Sequence, residues 1–396
     1  MCSMSRWDGD LSSAAYSIAK ELSKTNQVFY IDYPYTVKDY LTEKDLPTVI
    51  RRKEAILKGK NIYTKVPGLS DNFTAVTPKL MIPINSLPEG VLYNVLSKRN
   101  NQKFFKTVQR ILDDHNIKEY IFFNSFNPFY GVTLTKGINP KIFIYQSRDD
   151  IRAVEGLKHG VTGERKAIKN ADVLMTTSTN LKKVLEADGG KNVHILPNAA
   201  QTDLFKTAQT EKFELPEELL GNTKPVVGYV GHIGLRMDFE LLTKAIKAHS
   251  DKLFLMVGPG DYTPFTDENY HEYPNVVFAG PKKLAELPRY LHFMDATIIP
   301  FLKNDLTKSI YPLKMNEYLA AGKAIVTTDF SVDVESFEGV AYVSKNHDEF
   351  VADIGVAVES NTIENVNKRV QTSDGNAWSD RINLFWDILE NTKIER

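Results

Sequence analysis

The sequence predicts an α/β protein made of two similar-sized, doubly wound domains. Short β-rich runs alternate with amphipathic stretches along the chain, the signature of parallel sheets covered on both faces. The length, 396 residues, exceeds one ordinary domain of roughly 150. A polar connection around Asn198–Thr223, after which Pro225-Val226-Val227 opens a fresh series of strands, divides the chain. The expected boundaries are 1–205 for the first domain, 222–376 for the second and 377–396 for a closing helix.

Each element has its own warrant. The first helix is read from Ala14, Ala15, Ile18, Ala19 and Leu22 at helical spacing, with Ser12 or Ser13 able to cap it. Only Met1–Met4 precede the Trp7-Asp8-Gly9-Asp10 turn, so the strand before that helix is expected to be short or clipped. The β-rich runs Val28–Asp32, Tyr120–Asn124, Ile142–Gln146, Val173–Thr176 and Val193–Leu196 supply the first sheet. Val226–Val230, Leu253–Val257, Val276–Ala279, Ala296–Pro300 and Ala324–Thr327 supply the second. Between Tyr33 and Asn100 prolines interrupt any regular pattern, and Arg51, Arg52, Lys53, Lys58 and Lys60 crowd together. That run is a solvated face or a surface for an anionic lipid or acceptor. Trp378, Ile382, Phe385, Trp386 and Leu389 give the closing helix a strongly apolar face.

Composition excludes several classes. Lys plus Arg number 49 against 50 Asp plus Glu, a net charge of −1, which leaves no positive excess to grip nucleic acid. With 42% hydrophobic and 25% charged residues the chain can bury sizeable cores. A single cysteine, Cys2, permits neither an intrachain disulfide nor a cysteine-based metal cluster, which fits a reducing, cytoplasmic setting. No apolar run approaches the ~18 residues that span a bilayer. The expectation is a cytoplasmic protein that meets a membrane, if at all, peripherally at its inner face.

The most informative stretch is SIYPLKMNEYLAAGKAIV, from Ser309 to Val326. Pro312 suits the first turn of a helix and Gly322 its carboxyl-terminal cap. The helix follows the strand Ala296–Pro300, so its amino end lies on the side of an open α/β sheet where ligands settle. A cation at Lys314, in the first turn, opposes the helix dipole by ~0.3–1 kcal/mol, a penalty that a bound phosphate would reverse. Glu317, three residues on, shares the face of Lys314 and can accept hydrogen bonds from vicinal sugar hydroxyls. An exposed Lys–Glu pair decorating a helix is the alternative. Upstream, GYVGHIGLRMD (Gly228–Asp238) places glycines as Gly-x-x-Gly-x-x-Gly, not the dinucleotide spacing. Its Gly231 lets backbone approach a ligand, and His232 and Arg236 could contact phosphate oxygens, or simply finish a tight turn. Gly280 ends another strand of this half.

Taken in order, GYVGHIGLRMDFELL, LMVGP, NVVFAGPKKLAELPRYLHFMDATIIPF and SIYPLKMNEYLAAGKAIVTT resemble the donor domain of GT-B glycosyltransferases. The likeness is to family 4 members and their relatives in cell-surface polysaccharide synthesis. It implies two Rossmann-like domains facing each other across a cleft, and transfer of a sugar from a nucleotide-diphosphate sugar to a glycan or lipid-linked glycan, with the donor held mainly by the second domain. It implies Glu317 on the donor ribose and Lys314 with Arg236 on the diphosphate, with no metal and no cofactor. Gly231, His232, Gly280, Ser309, Tyr311 and Pro312 complete the expected donor site, and the closing helix is expected to cross back to the first domain. Two departures stand out: Ser309 occupies the place, eight before Glu317, where the family carries another glutamate. His232 stands at the family's arginine place and Arg236-Met237 near its lysine place.

Inverting relatives use a first-domain aspartate as base. Asp149 and Asp150, after the strand Ile142–Gln146, are the candidates, each equally able to cap the following helix. Asp8 and Gly9, with Asp10, are candidates for the acceptor side. Asn124, Asn127 and His115 read as loop and strand-end groups, and Asn198 as a linker residue. Two other readings share the architecture: a nucleotide-sugar 2-epimerase and a non-catalytic nucleotide-sugar-binding subunit.

Overall fold

The computed structural model describes residues 1–9, 13–153 and 157–392. Asp10, Ser12 and residues 393–396 of the expected closing helix lie outside the described residues. The chain forms two compact units, Met1–Pro197 with Ile382 onward, and Asn198–Arg381.

The first unit is an eight-stranded sheet of β1 (Cys2–Ser3), β2 (Val28–Ile31), β3 (Tyr63–Thr64), β4 (Phe73–Val76), β5 (Ile121–Ser125), β6 (Ile142–Ser147), β7 (Val173–Thr176) and β8 (Val193–Ile195). The order is β3-β4-β2-β1-β5-β6-β7-β8, with all pairings parallel except β3 on β4. β2, β4 and β7 are buried at every position, as expected of parallel strands covered on both faces. The helix Ala14–Leu22 starts at Ser13, whose side chain accepts from the Tyr16 N–H, and buries Ala15, Ile18, Ala19 and Leu22.

The proline-interrupted segment hides more order than its sequence shows. Three short helices, Val37–Glu43, Pro47–Ile50 and Lys53–Lys58, precede a 24-residue helix, Val91–Asp114. Its inner face carries Asn100 and Asn101, both buried, which disguise the apolar period. Asn100 bonds both backbone groups of Ile82, and Asn101 bonds the Gly131 N–H and Thr133 carbonyl. Their bonds replace those lost to water.

The second unit is a wholly parallel six-stranded sheet of β9 (Val226–Val230), β10 (Leu253–Val257), β11 (Val276–Gly280), β12 (Ala296–Ile299), β13 (Ala324–Thr328) and β14 (Tyr342–Ser344). Its order is β11-β10-β9-β12-β13-β14. The winding reverses between β9 and β12, and the crevice outside their carboxyl ends is the place where such sheets bind ligands.

The boundary falls earlier than the polar stretch suggested. Residues 198–205 were expected in the first domain, yet the helix Thr202–Thr210 buries Phe205 and Ala208 in the core of the second unit. Composition marked a linker where burial makes a core helix. The last helix, Trp378–Asn391, passes from the second unit into the first at Ile382. Its Phe385 is fully buried with its ring 5.5 Å from Phe123, a burial worth about 1.5–3 kcal/mol.

Candidate functional site

In the second unit, two glycine turns and one helix build the site at the switch point. The turn after β9 packs against the turn after β10: Gly231 N–H donates to Val257 O at 2.8 Å and Ile233 N–H to Pro259 O at 2.9 Å. A Cβ on Gly258 would collide with the Gly231 carbonyl, and one on Gly260 with that of Ile233, and both glycines have positive φ, +146° and +136°. Only glycine fits such contact. Gly280, at φ +69°, supports them by accepting from Gly258 N–H at 2.9 Å.

Two tyrosines that the sequence did not single out fix this turn to the helix Leu313–Ala320. Tyr229, buried in β9, donates to the His232 carbonyl at 2.9 Å. The Tyr318 hydroxyl, on the helix, accepts from Val230 N–H at 2.8 Å and donates to Val230 O at 3.2 Å. Alternation along β9 places Tyr229 inward, but an inward tyrosine is ordinary core until its hydroxyl partner is known.

Pro312 is the N-cap of the helix, one place earlier than expected, and no side chain caps that end. Gly322 follows the C-cap Ala321 at φ +67°. Lys314 lies across the glycine turn: a Cβ on Gly231 would stand 2.5 Å from its Nζ and closer to its Cε. The ammonium lies 5.7 Å from the Tyr229 ring centroid and makes no ion pair or hydrogen bond among the described residues. Desolvation holds its pKa below the ordinary lysine value, opposed by the charge of Glu317 and reinforced by that of Arg236. Glu317 is pushed up by desolvation, with Lys314 opposing. Both side chains are half-buried, close enough to feel each other yet not joined in an ion pair.

His232 and Arg236 are exposed on the same turn. The Arg236 carbonyl accepts from Leu302 N–H at 2.9 Å, which ties the turn to the loop after β12. Ser309 is buried in the short turn Thr307–Ser309, and Tyr311 is buried beneath the helix, its hydroxyl accepting from Asn316 Nδ2 at 3.3 Å. The structure thus gathers Gly231, Arg236, Lys314 and Glu317, while Ser309 and Tyr311 face inward.

The first unit treats its charges differently. Asp8 takes two hydrogen bonds from the Arg52 guanidinium, at 2.8 and 2.5 Å, and an ion pair from Arg51 at 3.2 Å. The opposite edge of Arg52 reaches Asp32, Nε to Oδ2 at 2.9 Å, and Asp32 also accepts from Trp7 N–H and Thr77. Burial alone would raise the Asp8 carboxyl, but Arg52 and Arg51 hold it below the usual value. This network pins the loop that carries Asp8 and Gly9 and corrects the reading of 51–60 as a uniform basic surface: Arg52 is buried. Asp150 is likewise committed, its Oδ1 accepting from the Arg152 backbone at 3.0 Å and side chain at 3.5 Å. That is the turn-forming role, and Asp149 is the half-buried neighbour beside Arg148. Asn124 spends its amide on the turn 124–131, Asn127 accepts from Phe129 and Tyr130 N–H within that turn and donates to the Ser3 carbonyl on β1, and His115 ends the long helix against Phe29.

No group of three or more His, Cys, Asp or Glu side chains is placed to hold a metal ion among the described residues. No helix among them is long and apolar enough to cross a membrane.

This is the GT-B fold. Sucrose-phosphate synthase from Thermosynechococcus elongatus superposes with a TM-score of 0.68 at 14% identity, over 98% of each chain. HepE from Anabaena, solved with UDP and glucose, does so at 0.63 and 12%, over 98% of each chain. Residues 224–359 match the family model described as Glycosyl transferases group 1. The chain is also 31% identical over 176 residues to TuaH of Bacillus subtilis (strain 168), a candidate teichuronic acid biosynthesis glycosyltransferase. That match spans 42% of this chain and 43% of TuaH, less than half of the relative's length. The resemblance to GT-B glycosyltransferases of polysaccharide synthesis therefore stands.

Proposed function

We propose that the protein is a glycosyltransferase that moves a sugar from a nucleotide-diphosphate sugar to a glycan or lipid-linked glycan acceptor in cell-surface polysaccharide synthesis. One observation carries the reading: Lys314 is desolvated against Gly231, without an ion pair, at the uncapped amino end of a helix. A diphosphate there would gain the ammonium, the helix N–H groups and Arg236, which together stabilise the charge that develops as nucleoside diphosphate leaves. Glu317 would hold the ribose hydroxyls. His232 and Gly280 shape the turn around the donor, Ser309 and Tyr311 support the helix from beneath, and Asp149 is the acceptor-side carboxylate. The chemistry needs no metal or other cofactor, because two cations and backbone dipoles carry the leaving-group charge. The teichuronic acid role in the name of TuaH and the UDP and glucose of the HepE complex support the substrate classes.

The test is release of nucleoside diphosphate from a panel of nucleotide sugars, with and without acceptors. Acceptor-dependent release supports transfer, isomerisation supports an epimerase, and binding without turnover supports a non-catalytic subunit.

We extend the proposal to a peripheral contact with anionic membrane. The short helices of the first unit expose Leu41 and Ile50, 65% and 58% accessible, along with Val37, Leu46 and Leu57. Lys38, Lys44, Lys53, Lys58 and Lys60 are exposed among them, the pairing of apolar and basic groups that binds anionic bilayers. Leu41→Glu should lower co-sedimentation with anionic vesicles about tenfold; unchanged binding would contradict this contact.

A further inference from the structure

Among the arginines at the carboxyl edge of the first sheet, one stands apart. Arg52 is spent on Asp8 and Asp32, and Arg152 on Asp150, Glu164 and Asp188. Arg148, the residue immediately after β6, has its Nε fully buried with no hydrogen-bond partner, and its guanidinium makes no ion pair among the described residues. Desolvation holds its pKa below the ordinary arginine value, with Asp149 and Tyr30 opposing. Its carbonyl is fixed by the Thr177 hydroxyl at 3.1 Å, so the residue is held in place although its Nε is unsatisfied.

One hydroxyl, that of Tyr30, interacts electrostatically with it and belongs to a hydrogen-bonded group. Tyr30, within the field of Arg148, bonds Ser3 at 2.7 Å and Ser5 at 2.6 Å, and Ser5 bonds Ser13 at 2.8 Å. Ser13 is the N-cap of the helix Ala14–Leu22. A buried guanidinium edge left unsatisfied is costly, and hydroxyls that can turn their protons outward are ready donors to an anion. Planar guanidinium nitrogens match phosphoryl oxygens in particular.

We propose that Arg148, with the Ser5–Ser13–Tyr30 hydroxyl group, binds a phosphoryl group of the acceptor. Assigning that phosphoryl group to the acceptor rests on the transferase reading; the anion site itself does not. The phosphoryl group belongs to a lipid-linked glycan or to a soluble sugar phosphate, and the two are separable by experiment.

The test uses the full chain carrying Lys314→Ala, which removes the proposed donor-phosphate site. Phenylglyoxal labelling of Arg148, followed by peptide mass spectrometry, is expected to slow about tenfold in millimolar inorganic phosphate. Phosphate should also raise the melting temperature of this variant, and adding Arg148→Gln should abolish that rise. Protection by geranyl phosphate at about a tenfold lower concentration than inorganic phosphate assigns the lipid-linked source, and equal potency the soluble one. Absence of both protection and stabilisation by either probe overturns the proposal, as does stabilisation that survives Arg148→Gln. Failure of the donor-site reading would show separately, as unchanged nucleotide-sugar affinity in Glu317→Ala.

Discussion

The Asp8–Arg52–Asp32 network and the Lys314–Glu317 pair occupy equivalent ground, the carboxyl edge of a parallel sheet near its switch point, and use charge in opposite ways. In the first, every carboxylate meets a guanidinium within 2.9 Å, and the result is a fixed loop. In the second, an ammonium and a carboxylate on one helix face are desolvated without joining, and the result is an unspent field. Paired charges hold architecture; unpaired charges held by tyrosines and glycines await a ligand.

The comparison breaks most sharply at Arg52. Arg52→Ala leaves Asp8 and Asp32 uncompensated and should cost about 3–5 kcal/mol of stability by denaturant unfolding, with nucleotide-sugar affinity of the surviving folded protein unchanged. Lys314→Gln should do the reverse, holding or raising stability while weakening donor binding by about 1.5–3 kcal/mol, on the order of ten- to a hundredfold in Kd by calorimetry. Equal stability losses for the two variants would erase the distinction. Tyr318→Phe probes the scaffold: it strips Val230 N–H of its hydroxyl partner and should cost about 1–2 kcal/mol of stability. Lys323 adds a pH-dependent contrast: it is a desolvated lysine with a structural task, its Nζ donating to the His292 carbonyl at 3.0 Å. Burial lowers its pKa to about 8. Between that value and the ordinary ~10.4 the unfolded chain binds the extra proton, so stability should rise with pH across the window. Lys323→Met should flatten that rise.

Much of this was legible in sequence because it depends on local chemistry. The ten strands read from sequence are mostly apolar runs, the short β3 and β14 and the β4 within the proline-interrupted segment not being among them, and Gly231, Lys314 and Glu317 announce themselves by residue type and spacing. What escaped depends on partners distant in the chain. Asp8 reads as a turn aspartate until Arg52, 44 residues away, closes on it. The helix Val91–Asp114 is masked by Asn100 and Asn101, whose backbone partners lie 18 and 32 residues away. Phe205 lies in a polar stretch, yet its burial moves the domain boundary. Arg148 is unremarkable in sequence, since the absence of a partner is visible only once the neighbours are placed.

The central claim is that the desolvated lysine on the glycine turn is a seat for pyrophosphate. A crystal soaked with a bound nucleotide sugar tests it most directly. The account predicts diphosphate oxygens within hydrogen-bond distance of Lys314 Nζ, with the ribose hydroxyls on Glu317. A nucleotide lodged elsewhere, with Lys314 still unoccupied, would contradict it.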